Sequence, residues 1–133
     1  MLQFDWDEAK ETPIRAVLCR EESRMSAGTA QWERLAFVIG EKAVVLTVND
    51  ETDEVLVALE AASETEGWDE VPSLSFAEGR TFGWCWIGRN YRGYLDTFTV
   101  AFGDVVPDAL TPRWMFLGEG SALTCPELTP HRL

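Results

Sequence analysis

The chain has 133 residues and 14.9 kDa, of which 46% are apolar and 26% charged. That is one globular domain, and it excludes a disordered chain. Its 23 acidic residues against 11 basic ones leave a net charge of −12, which excludes a general nucleic-acid or anionic-membrane binder, because both need a basic face.

In chain order, residues 1–12 predict one short helix. Asp5 is the N-cap, Glu8 stands three residues on, and Phe4 and Ala9 hold the staple positions until Thr12-Pro13 ends the turn. The period then becomes two. Residues 14–20 read as a strand and the small polar stretch 21–30 as a loop. Residues 35–39 form a strand, Gly40-Glu41-Lys42 a tight connection, and 43–48 the return strand. The oxygen-rich run 49–54 is a turn and 55–59 a further strand, so this part reads as an antiparallel meander without crossover helices.

Residues 60–70 are polar and acidic, and 72–78 hold at most one helical turn. Thr81 to Ile87 is an aromatic strand, Gly88 to Gly93 a turn cluster, and Tyr94 to Phe102 the partner strand. After a Pro-containing link, residues 114–117 and 122–125 make two last short strands around Gly118-Glu119-Gly120-Ser121. The fold class is mainly β: a single domain over 1–133, an antiparallel meander of seven or eight strands. It forms a sandwich or partly open barrel, with one or two very short helices and a loose tail at 126–133. The alternative is α+β.

The acid is concentrated. Residues 43–79 contain ten carboxylates and no Lys or Arg, whereas 1–42 and 80–133 are close to neutral. Two loops, 49–54 and 60–70, carry nearly all of it, at opposite ends of one strand pair unless the second folds back. The six oxygen side chains from Asn49 to Glu54 are a candidate hard-cation loop. The EF-hand spacing fails, because Val55 stands where Gly is needed and Ala61 where Glu is needed, so a solvated turn is the stronger reading. No metal is expected.

Phe82, Trp84 and Trp86 share one face of their strand if it is regular. They form either a core layer or, with Trp114, the wall of a ligand pocket; the core layer is the stronger reading. A hairpin that pairs Ile87 with Tyr94 sets Gly83 under Phe98, a ring-covered glycine that fixes the register. Arg89, Tyr91 and Arg92 crowd the following turn, and that residue mix is common in interface anchors; the slightly stronger reading is a plain hairpin tip, with Asn90 and Gly93 at turn positions and Asp96 pairing locally.

Catalysis finds no support. The single His131 has no anchored partner, Ser121 lacks an activating base, and no nucleophile-elbow, phosphate-loop or metal-protease pattern occurs. Cys19, Cys85 and Cys125 are odd in number and widely spaced, so they read as free thiols of a reducing compartment. The acidic opening has no apolar signal core, and the expected location is cytoplasmic.

The segments Gly83-Trp84-Cys85-Trp86, Asn90-Tyr91-Arg92-Gly93-Tyr94-Leu95-Asp96 and Thr52-Asp53-Glu54-Val55 resemble those of an uncharacterised family of small bacterial proteins, a domain of unknown function. The likeness runs over roughly residues 12–125 and departs at Glu119, where a small residue is expected. It implies a β-rich cytoplasmic protein of bacteria and carries no activity.

The expected function is a non-enzymatic protein-binding module without cofactor, in its sharpest form an acidic inhibitor or immunity-type protein. It would hold a basic protein partner through residues 49–70 (Asp50, Glu51, Asp53, Glu54, Glu64 and Glu66), with Arg89, Tyr91 and Arg92 as anchors. The alternative is a small-molecule-binding β-barrel with a pocket of Trp84, Trp86 and Trp114. Further readings are an uncharacterised structural or regulatory protein of that bacterial family, and a metal-assisted hydrolase using the acidic loop. No nucleic acid or membrane is expected as partner, and the chain is a monomer or homodimer.

Overall fold

Leu35 to Ile39 and Ala43 to Leu46 are apolar without alternation because both faces of their strands are covered. The computed structural model describes residues 1–24 and 30–126. Nine antiparallel strands make one curled half-barrel sheet: β1 (Ala16–Arg24), β2 (Ala30–Ile39), β3 (Lys42–Val48), β4 (Val55–Ala61), β5 (Asp69–Glu70), β6 (Phe82–Gly88), β7 (Thr97–Phe102), β8 (Trp114–Glu119) and β9 (Ala122–Thr124). The described helices are four 3-10 turns, Trp6–Ala9, Ala62–Thr65, Pro72–Ala77 and Asp108–Leu110. The mainly β class therefore holds over α+β.

The sheet consists of two meanders, β1–β4 and β6–β9, joined where β9 pairs with β2. β2 makes the junction by sharing one edge. Arg34 to Ile39 pair with β3, and Gln31 and Trp32 pair with β9, while β1 runs along the other edge. The predicted loop at 21–30 is shorter than expected. Residues 21–24 continue β1 and Ala30 begins β2, while 25–29 lie outside the described residues, as does the tail beyond Pro126 with His131.

Inside the curl, Phe37 is the centre of an aromatic core. Its ring meets Phe82 at 5.3 Å and Phe116 at 5.8 Å, both edge-on, and all three rings are fully buried. The N-terminal segment spans the open side. Met1 to Gln3 bond to Val57 at the edge of β4, and the Trp6 indole then donates to the Gly83 carbonyl at 2.8 Å beside β6. The expected N-cap is present, Asp5 accepting from the Asp7 amide, although the turn is a 3-10 helix.

The outer face of β2 and β3 carries Ala36, Val38, Ala43 and Val45, all buried. Their cover is residues 62–70. The chain leaves β4, bonds from the Ala62 amide to the Glu41 carbonyl, lays Trp68 and Ala62 on this small-residue patch, and pairs as β5 with the far edge of β1. The second acidic loop thus folds back as a strap. Trp68 and Ala62, with the Ala62–Glu41 bond and the β5 pairing, hold this acidic stretch down.

The β6–β7 pairing corrects two expectations. β7 begins at Thr97, three residues late, so Ile87 pairs with Phe98 and not with Tyr94. Gly83 does not lie under Phe98: a side chain there would meet the Ala109 backbone, at 2.6 Å from its carbonyl oxygen. The irregularity between Phe82 and Cys85 also ends the alternation. Phe82 joins the core, whereas Trp84 is 54% exposed, so the three rings form no common layer.

Candidate functional site

Three turns converge at one end of the half-barrel: 49–54 between β3 and β4, 89–96 between β6 and β7, and 120–121 between β8 and β9. The first is shaped by its own oxygens. The Asn49 side chain accepts from the Glu51 amide at 2.9 Å, and Asp53 takes a φ of 59°, a conformation Asp tolerates better than most residues. The second is held by Asn90, whose side-chain oxygen accepts from the amides of Arg92 and Tyr94 while its amide donates to Asp96.

These turns are cross-linked. The Glu54 carboxylate accepts the Leu95 amide at 3.0 Å and the Thr52 hydroxyl at 3.3 Å, and the Val55 amide donates to the Leu95 carbonyl. The Asp53 carboxylate accepts the Ser121 amide at 2.8 Å. Gly118 donates to the Asp96 carbonyl, and the Asp53 carbonyl lies directly against the Gly118 Cα. Two of the three segments that carried the resemblance, 52–55 and 90–96, form with Gly118 to Ser121 a polar latch tying both meanders at one end.

The latch divides the predicted partner-binding residues. Asp53 and Glu54 are half-buried and committed to internal bonds. Asp50, Glu51, Arg89, Tyr91 and Arg92 stand exposed around them, Tyr91 at 93%. Glu64 and Glu66 lie on the strap at the other end of β3 and β4, roughly 20 Å away by strand length. There, Glu21, Glu64, Glu66 and Asp69, with Arg20 among them, surround an open depression of about 480 Å³ beside Trp68. Among the described residues the one ion pair is Lys10–Asp7 at 3.7 Å, so the acids of 43–79 have no basic partner within contact distance.

The cation-loop idea meets the same internal bonding. Asn49, Asp53 and Glu54 spend their oxygens on backbone amides, and among the described residues no group of three or more His, Cys, Asp or Glu side chains is placed to hold a metal. Cys19, Cys85 and Cys125 are free. Burial pushes the Cys85 and Cys125 thiols up to about 11, and burial with Glu22 and Asp69 nearby raises Cys19, so none is a ready thiolate near neutral pH.

The three tryptophans do not converge. Trp114 aligns across β7 with Val100 and Cys85, whereas Trp86 aligns with Thr99 and Met115, the next row, which points to the opposite face. Trp114 packs on Phe102 at 4.9 Å and Phe76 at 6.0 Å. Beside it lies a feature the sequence reading missed. The guanidinium groups of Arg80 and Arg113 stack on the Phe76 ring at 4.0 and 4.4 Å, beside a cavity of about 210 Å³. Residues 33 apart in sequence give no local signal of such a pairing.

Replacing Glu54 by alanine is expected to remove about 2 kcal/mol of stability in urea unfolding, because it orphans the Leu95 amide and frees the latch. Glutamine, whose amide oxygen still accepts, should lose less than half of that. Equal losses for both variants would show that the hydrogen bond is not what holds the turn.

The geometry defines a class: a small antiparallel β protein, curled into a half-barrel and tied at one end by a turn-to-turn latch. The chain belongs to a family of unknown function, DUF6334, whose pattern matches residues 1–132. Neither a curated protein nor a solved structure matches the chain. No described helix is long and apolar enough to cross a membrane.

Proposed function

We propose that the protein is a non-enzymatic protein-binding module, in its sharpest form an inhibitor of the immunity type, that captures a basic protein partner through the acidic region 49–70. The observation that carries this reading is the strap. It places Glu64, Glu66 and Asp69 in the open, with Glu21 of β1, around one depression whose one basic lining residue among those described is Arg20. Such a surface attracts a cationic partner over a Debye length of about 8 Å at physiological salt.

The internal bonds refine the contact set. Asp53 and Glu54 serve the latch, so the acids offered to a partner are Glu64, Glu66 and Asp69 on the strap, with Asp50 and Glu51 at the far end. Reading both ends requires a rigid surface at least roughly 20 Å long, which favours a folded protein over a short peptide. The proposal includes a cytoplasmic, bacterial setting, in keeping with three free thiols.

The test is capture on immobilised protein, with the retained chains identified by mass spectrometry. A partner of basic isoelectric point should be retained, released by raised salt, and held about tenfold less by E64K/E66K. Retention that is indifferent to salt and to E64K/E66K would sink the proposal.

A further inference from the structure

The sheet protects its strand edges in two ways, and one edge has neither. The edge of β4 is covered by Met1 to Gln3, and the edge of β1 by β5 and Val71. Where β1 runs on past β5, its sequence carries Arg20, Glu21 and Glu22, charges that discourage further strand pairing. β6 ends the strand order and reads Phe82-Gly83-Trp84-Cys85-Trp86-Ile87-Gly88, with no charge and no proline. Among the described residues, the backbone from Trp84 to Gly88 bonds only within the β6–β7 ladder.

The apolar side chains along this edge are open to solvent. Trp84 is 54% exposed and Ile87 43%. Ile87 shares its row with buried Phe98 on the inner face, and Trp86 shares its row with Thr99 and Met115 on the outer face. Apolar groups on both faces of one edge strand are covered together only by another strand laid alongside. A partner docked on one face would leave the other wet.

We infer that the occupant is a second copy of this chain, pairing β6 antiparallel to β6 about a two-fold axis near Trp86. Charge selects this occupant. Next to Gly83, at the start of the edge, stands the turn Trp6–Ala9 with exposed Asp7 and Glu8, brought there by the Trp6 indole bond; Lys10 pairs with Asp7 at 3.7 Å, which leaves this end one net negative charge. Just past its end stand exposed Arg89 and Arg92. A two-fold axis lays the start of each strand beside the end of the other, so acids face arginines twice in one isologous interface. The edge is complementary to itself despite the net −12 of the chain.

The experiment is sedimentation equilibrium on the full chain and two charge-reversed variants, R89E/R92E and D7K/E8K. Wild type should sediment at twice 14.9 kDa, and each variant alone should dimerise at least tenfold more weakly. Mixed in equal amounts, the two variants should recover the dimer, since every acid then faces a base again. That recovery also shows that both are folded. A monomeric wild type at high micromolar concentration, or a mixture no more dimeric than its components, would overturn the inference. It is independent of the acidic strap, whose residues none of these variants touches.

Discussion

Gly118→Ala is expected to cost at least about 3 kcal/mol and to lower the melting temperature by roughly 10 °C. The added methyl group would occupy the position of the Asp53 carbonyl oxygen. Neither backbone can yield cheaply. Gly118 is fixed by its bond to the Asp96 carbonyl and its pairing with Leu123, and Asp53 by Asn49 and Ser121. Relief would have to break the latch, which also joins the two meanders. Gly120→Ala is the control. Its φ is 57° and nothing lies within 4 Å, so only conformational strain of about 1 kcal/mol is added. Thermal unfolding by circular dichroism measures both, and equal shifts would rule out the steric explanation.

Phe37→Ala is expected to be the most damaging truncation in the core, at about 3–5 kcal/mol, a large share of the roughly 5–15 kcal/mol that holds a domain of this size. Phe37 lies on β2, the strand both meanders share, and its ring bridges Phe82 of β6 and Phe116 of β8. The cavity would open where the two halves meet, with rigid rings on both sides and little able to collapse inward. Tyr91→Ala, at a ring 93% exposed, should stay within about 0.5 kcal/mol of wild type. Urea unfolding gives both numbers, and a Phe37→Ala loss below about 1.5 kcal/mol would mean that the core repacks freely.

The strand segments were legible because local signals agreed. Turn residues at Gly40-Glu41, at 49–54 and at Gly118 to Ser121 bracket apolar runs, and the observed strands follow them closely. The aromatic strand departs from its expected pattern for a physical reason. Alternation assumes a regular ladder, and the irregularity between Phe82 and Cys85 turns Trp84 outward. The same assumption misplaces Gly83, because hairpin register depends on where pairing resumes after the loop, and Asn90 holds that loop open to Thr97.

The candidate site was legible as pieces and not as a place. Asp53, Glu54, Asn90 and Asp96 stood out as turn chemistry, while the bonds joining their turns to one another and to Ser121 link residues up to 71 apart. The ten acids between 43 and 79 were plain from the sequence, yet which of them are free was not. Asp53 and Glu54 look like Glu64 and Glu66 on paper, but two serve the latch and two face solvent.

By itself the sequence determined the β class, the positions of most strands and the concentration of negative charge, because each follows from neighbours within about ten residues. Tertiary structure alone decided that the second acidic loop is a strap, that the turns lock together, and that β6 is left as a bare edge. Those outcomes depend on which distant backbone comes to lie alongside, here on β2 taking β3 and β9 on a single edge. No local pattern encodes that choice, since it is the burial of Phe37, Phe82 and Phe116 against one another that makes it worthwhile.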